Sequence, residues 1–212
     1  DGLIPKEELD KRFQLFLEVL LSDDAKTIHD SLTGPLPKIA KHFREFDSRA
    51  LVEAYLRGLG SPNHLVRATF WYYASDYLDL LPVDDVRERS GLFLELLGSP
   101  HFEARLTAWK TALHMLKDEK FGGIVKKEDV LKRNDGLVKL LEAPDPEVRA
   151  EAWFYACISL KGQSPLLERT ELESRVDRLL EIRYSSLFSD REVQYAFFDA
   201  LYCVEEIGVI DS

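Results

Sequence analysis

Apolar side chains recur every three to four positions along most of the chain, which is the spacing of one face of an α-helix. One such run covers residues 50–59, is followed by Gly60-Ser61-Pro62, and a second run covers residues 64–81. Glycine and proline end the first run, and proline is tolerated in the first turn of a helix. Each block of this kind therefore predicts a helix, a short turn and a second, antiparallel helix.

One pattern recurs three times in the second helices. An arginine is followed by a tryptophan four residues later, with a proline five residues before the arginine and an alanine three residues after the tryptophan. A decayed copy has Ser189, Gln194 and Phe198 in the places of proline, arginine and tryptophan, and successive copies are 38, 44 and 45 residues apart. Repetition at this period is typical of stacked helical arrays. The arginine–tryptophan pairs are Arg67 and Trp71, Arg105 and Trp109, and Arg149 and Trp153.

These patterns predict a single all-α domain over residues 1–212, folded as a right-handed α-α superhelix (solenoid) of about five helix pairs. Successive hairpins are expected to lie side by side, with each indole packed against the neighbouring hairpin. The predicted parts are irregular N-terminal capping helices (1–46), three clear repeats (47–83, 84–125 and 126–165) and a degraded C-terminal capping repeat (166–212).

The second helix of the third clear repeat resembles a known family. Its run Pro144-Asp-Pro-Glu-Val148-Arg149-Ala-Glu-Ala-Trp153 is similar to the signature of HEAT repeats, the armadillo-type α-solenoid family, and Ser61-Pro62 with Val66-Arg67 is a looser match. The resemblance covers about residues 47–208. It implies paired helices, with arginines that form hydrogen bonds between adjacent repeats, and Asp145 and Asp190 match the aspartate of the family's turn.

Composition narrows the possible partners. The net charge of −10 argues against a surface that grips nucleic acid, because such surfaces are usually basic. No apolar run approaches the length of a membrane span, so we expect a soluble, cytoplasmic protein without a membrane partner. The two cysteines, Cys157 and Cys203, lie in apolar helical stretches and are predicted to be buried thiols.

No residue pattern indicates catalysis. The five histidines form no metal-binding pair, and no nucleophile, phosphate-binding or zinc motif is present, so we predict no cofactor, no metal and no enzyme activity. The arginines could bind phosphates and the tryptophans could stack on bases, but their regular spacing favours a structural ladder within the core. The HEAT-like DNA glycosylases of the alkylation-repair class are the alternative, with the tryptophans and Asp76 as candidate residues. The acidic balance of the chain disfavours them.

The charges are unevenly distributed between the two kinds of helix. The second helices carry a formal charge of −7 and the first helices +1. In HEAT-like arrays the second helices generally line the concave side, so we predict a scaffold or adaptor that binds a basic or amphipathic protein segment through an acidic, aromatic-bearing concave surface. A purely structural subunit of a larger assembly is a further possibility. The predicted contact residues are Tyr72, Tyr73, Asp76, Lys110, Glu151, Tyr155 and Asp199.

Overall fold

The computed structural model describes residues 6–33, 48–162 and 165–210, and the regular secondary structure in these ranges is helical, without strands. The N-terminal expectation for residues 1–5 and 34–46 lies outside these ranges. The fourteen described α-helices are α1 (Lys6–Leu20), α2 (Ala25–Thr33), α3 (Ser48–Leu59), α4 (His64–Tyr72), α5 (Ala74–Tyr77), α6 (Val83–Glu88), α7 (Ser90–Leu96), α8 (Phe102–Met115), α9 (Lys127–Leu131), α10 (Asn134–Leu141), α11 (Pro146–Lys161), α12 (Arg169–Glu173), α13 (Val176–Leu180) and α14 (Arg191–Glu206).

The chain forms two compact units, residues 1–93 and 94–212, and their boundary lies inside α7. In the first unit α1 packs on α2 and α3, and α4 packs on α2 and α3. In the second unit α11 packs between α8 and α14, and α10 packs on both α8 and α11. The all-helical class is therefore confirmed for the described residues. The single domain and the right-handed superhelix stay predictions.

The repeated tryptophan ties the two helices of each hairpin together. Its indole Nε1 donates a hydrogen bond to a leucine carbonyl twelve residues earlier, at the end of the first helix, over 3.1 to 3.2 Å. The last carbonyls of a helix have no partner inside that helix, so each indole satisfies a buried group that would otherwise be orphaned. This explains why the tryptophan recurs at a fixed distance from the turn. The pairs are Trp71 with Leu59, Trp109 with Leu97, and Trp153 with Leu141.

The second helices α11 and α14 begin at aspartate side-chain caps. Asp145 accepts hydrogen bonds from the backbone N–H groups of Glu147 and Val148, and Asp190 accepts one from Glu192. The two aspartates that match the HEAT-like turn are therefore N-caps, a role that typically contributes about 1 kcal/mol per helix.

The repeat contains a helix that the apolar pattern does not reveal. The short helices α6, α9 and α12 precede three of the first helices. The unit is therefore a short helix followed by a hairpin rather than a helix pair alone. Arg89, Arg133 and Arg175 each end such a helix by donating from Nη1 to the carbonyl four residues earlier, over 2.7 to 3.0 Å. Basic side chains stabilise helix C-termini in this way.

Two predicted helices are divided. The run over 64–81 is interrupted at Tyr73, whose φ of −91° and ψ of 3° place it in the bridge region, and helix α5 and a 3₁₀ turn follow. The first helix of the last repeat is divided into α13 and two 3₁₀ turns, Glu181–Tyr184 and Ser186–Ser189. The C-terminal repeat is thus the least regular of the described repeats.

Successive hairpins meet at the tryptophans. In the first unit the ring of Phe93, on the next first helix, lies 5.1 Å from the ring of Trp71. In the second unit α10 approaches so closely that a Cβ on Gly136 would overlap the Leu97 carbonyl that Trp109 binds. Glycine is needed at this position because two backbones meet there. The indoles of Trp71 and Trp109 therefore lie against the following hairpin.

Candidate functional site

The second helices of the second unit, α8, α11 and α14, lie side by side and are bridged by charged side chains. Lys110 on α8 forms an ion pair with Glu151 on α11, and Lys161 on α11 forms one with Glu206 on α14. Each bridge joins neighbouring helices across their exposed edge. The three helices therefore share one polar face on which the predicted contact residues of this unit lie.

A cavity of about 230 Å³ opens in this face at the junction of α11 and α14. Its lining combines two carboxylates with two aromatic rings, and its volume is below the roughly 300–1,000 Å³ of typical small-molecule sites. The cavity is thus of a size for one side chain of a partner. The lining residues are Glu151, Phe154, Tyr155, Ala196 and Asp199.

Lys110 shows how a cation is held beside this cavity. Its ammonium group pairs with the carboxylate of Glu151 and lies 5.3 Å from the centre of the Tyr155 ring, within the range of a cation–π contact. The carboxylate supplies charge and the ring supplies an electron-rich face. The same two kinds of group face the cavity from Asp199 and Phe154.

Asp199 is the second carboxylate of the cavity lining, and it has no ion-pair partner among the described residues. It is exposed on α14 and makes neither a hydrogen bond nor an ion pair through its side chain with any residue of 6–33, 48–162 or 165–210. The negative charge of Glu151 is partly offset by Lys110, but that of Asp199 is available to a ligand. A cation that entered the cavity would therefore find one unpaired carboxylate and two aromatic rings.

Further carboxylates surround the N-terminal ends of α11 and α14. Burial raises the pKa of Glu147 above its usual value, and the negative charges of Glu151, Glu192, Asp145 and Asp190 raise it further. A raised pKa means that the negative form is disfavoured by its surroundings. The N-terminal ends of α11 and α14 thus carry a local excess of negative charge.

This crowding predicts a pH-dependent effect of Glu147→Gln. Because folding raises the pKa of Glu147 above the unfolded value near 4.5, its favourable contribution exists below that pH and is lost as the pH rises through the folded pKa. We expect the variant to melt at a higher temperature than the parent protein at pH 7, with the difference shrinking towards pH 4. Calorimetry at both pH values measures this, with Glu205→Gln as an exposed control, and a lower melting temperature at pH 7 would refute the crowding.

The predicted contact residues of the first unit are placed differently. Tyr72 and Asp76 are exposed, whereas only 8% of Tyr73 is exposed and its hydroxyl lies 3.0 Å from Nδ1 of His29 on α2. Burial, together with the charges of Tyr72, Asp76 and Asp30, raises the pKa of Tyr73 to about 12. The packing of α2 thus covers Tyr73, which is a core residue here and out of reach of a partner.

The three repeated tryptophans and two of the three repeated arginines are core residues, while Arg149 is half-buried. The exposed fraction of each of the three tryptophans is at most 1%, and Arg67 and Arg105 are also buried. Arg105 donates to the Ser99 carbonyl in its own turn over 2.6 Å, while Arg149 lies 3.7 Å from Glu181 of the following repeat. Arg149 therefore contacts the next repeat, and Arg105 fixes its own turn.

Comparison with protein-family models, curated proteins and solved structures gives no match. The HEAT-repeat resemblance therefore stays a prediction. The buried tryptophans also weaken the glycosylase alternative, because an indole that stacks on a base must be exposed.

The described ranges contain neither a candidate metal site nor a candidate membrane span. They hold no group of three or more histidine, cysteine, aspartate and glutamate side chains that could bind a metal ion. None of their helices has both the length and the apolar character required to cross a bilayer. Cys157 and Cys203 are buried free thiols, and burial raises the pKa of Cys157 to about 12, so this thiol is protonated at neutral pH.

Proposed function

We propose that the protein is a non-enzymatic scaffold that binds a basic segment of a partner protein through the exposed face of α8, α11 and α14. The cavity at the α11–α14 junction receives a lysine or arginine side chain of that segment. The observation that carries the proposal is the unpaired carboxylate of Asp199 in a cavity that also presents Phe154 and Tyr155.

Two features favour a cationic ligand over a neutral one. The pairing of Lys110 with Glu151 and Tyr155 demonstrates that this surface already stabilises an ammonium group by charge and ring contact. The carboxylates around Glu147 add a negative potential that would attract a basic segment and speed its association. Binding should accordingly weaken as the salt concentration rises.

A displayed random-peptide library tests the proposal without a known partner. We expect the protein to select peptides that share a lysine or arginine, and Asp199→Lys to reduce their affinity by about tenfold or more. Asp177→Lys is the matched control, because it makes the same change in net charge on α13, where Asp177 is exposed. The affinities of the selected peptides are measured by fluorescence anisotropy.

The comparison of the two variants separates local recognition from general attraction. Equal losses in Asp199→Lys and Asp177→Lys would mean that net charge alone drives binding. Selection of peptides without a shared basic residue would contradict the proposed occupant of the cavity.

A further inference from the structure

The outer face of α14 carries an exposed aromatic stripe. Tyr195, Phe198 and Tyr202 are spaced three and four residues apart, so they lie on one side of the helix. They are exposed by 68%, 55% and 61%, while the opposite side of the helix is buried against the rest of the unit. Aromatic surface of this extent on a soluble protein usually marks a recognition site.

The stripe occupies positions that are covered in the preceding repeats. Aligned by the tryptophan positions, Tyr195, Phe198 and Tyr202 correspond to buried residues on both α8 and α11. Helix α14 packs along α11, and Cys157 on α11 and Cys203 on α14 are both buried. The corresponding buried residues are Leu106, Trp109 and Leu113 on α8, and Ala150, Trp153 and Cys157 on α11.

The last repeat keeps the local contacts of the repeat even though this face is uncovered. Gln194, in the arginine position, donates to the carbonyl of Phe188 six residues earlier, as Arg105 does to Ser99. Phe198, in the tryptophan position, makes T-shaped contacts with Phe197 and Phe188, with ring centres 5.4 and 6.2 Å away. The face is therefore built like an interior repeat surface.

Charge decides what kind of helix fits this face. Glu192, Asp199 and Glu205 flank the stripe and make no ion pair with any described residue, while Arg191 is the single basic residue on α14. Lys161 of α11 lies 5.8 Å from the Tyr202 ring, but its charge is already paired with Glu206. Two copies of α14 packed face to face would bring these carboxylates together, which disfavours a second copy of the chain. A helix with basic residues beside its apolar side would be complementary.

We propose that the Tyr195–Phe198–Tyr202 stripe is a docking site for an amphipathic helix of a partner protein, one that carries lysine or arginine beside its apolar face. The helix would lie on α14 as α14 lies on α11. The stripe lies on the outer face of α14 and the side-chain cavity lies at its junction with α11, and Asp199 borders both.

A synthetic peptide derived from α14 is the probe. It has the sequence of residues 191–206 with glutamine in place of the three stripe aromatics and lysine in place of Glu192, Asp199, Glu205 and Glu206. The apolar face of this peptide then has the same side chains as the face with which α14 packs on α11. A second peptide, which keeps the four acidic residues, is the matched control.

We expect the basic peptide to bind at least about tenfold more tightly than the acidic one, and Phe198→Asp to weaken its binding by about tenfold or more. Leu15→Asp, which changes a residue of α1 that is also 61% exposed, should leave the affinity unchanged. Fluorescence anisotropy gives the affinities. Phe198 is exposed, so the variant is expected to fold, which circular dichroism verifies.

Two results would overturn the inference. Equal affinity of the two peptides, or unchanged binding by Phe198→Asp, would show that the stripe does not hold a basic helix. Self-association of the parent protein in light scattering, lost in Phe198→Asp, would show that a second copy covers the stripe instead.

Discussion

Trp153→Ala is expected to lower the free energy of unfolding by about 3–5 kcal/mol, because it empties a large volume in a core that cannot fully close. The substitution also removes the indole N–H that satisfies the Leu141 carbonyl at the end of α10. A buried carbonyl without a partner adds to the loss. Denaturant unfolding followed by circular dichroism measures the change.

Phe198→Ala is the matched control for this prediction, since Phe198 occupies the tryptophan position of the last repeat but is largely exposed. We expect the control to change the free energy of unfolding by less than about 1 kcal/mol. Comparable losses in the two variants would contradict the conclusion that the interior position is covered and the terminal one is open.

Gly136→Ala is expected to destabilise the protein by about 3 kcal/mol, even though alanine is the better helix former. The added methyl group would overlap the Leu97 carbonyl, and backbone on both sides would have to move apart. The shift would also disturb the hydrogen bond from Trp109 to the same carbonyl. Thermal unfolding gives the loss.

Gly91→Ala tests the same substitution at the corresponding position of the preceding repeat. A methyl group there meets no atom within 4 Å, so we expect stabilisation by about 0.4–1 kcal/mol from the reduced freedom of the unfolded chain. Destabilisation by Gly136→Ala together with stabilisation by Gly91→Ala would establish that the close approach of α10, and not a feature shared by the repeats, requires glycine. A neutral or stabilising Gly136→Ala would refute the close approach.

The helices could largely be predicted from the sequence, whereas the structure reveals the hydrogen bonds of the indoles. Tryptophan recurs at a constant distance from the turn because its indole must reach the end of the preceding helix, and that constraint is local in the chain. The caps at Asp145 and Asp190 are local in the same way. Hydrogen bonds between residues close in the chain thus produce a pattern that repeats in the sequence.

The short helices were missed because five or six residues contain too little apolar periodicity to reveal a helix. A different signal was present. An apolar residue precedes each terminating arginine by three positions, as Val86 precedes Arg89 and Val130 precedes Arg133. The buried valine and the arginine that donates to a carbonyl together define these helices.

The grouping of the predicted residues on one face of the second unit could be predicted, because neighbouring repeats keep the same register. Lys110, Phe154 and Asp199 each follow the tryptophan position by one residue, and in the second unit Glu151, Tyr155 and Asp199 line one cavity beside Lys110. Tyr73 could not be placed from the sequence, because its burial depends on the packing of α2. That contact joins residues 44 positions apart and has no repeating pattern.

A charge exchange between protein and ligand tests the proposed recognition most directly. A selected peptide is measured with its shared lysine or arginine and with glutamate in that place, against both the parent protein and Asp199→Lys. We predict that each single change weakens binding by about tenfold and that the two changes together restore much of the affinity. Losses that simply add would contradict a pairing of the basic residue with Asp199 in the cavity between α11 and α14.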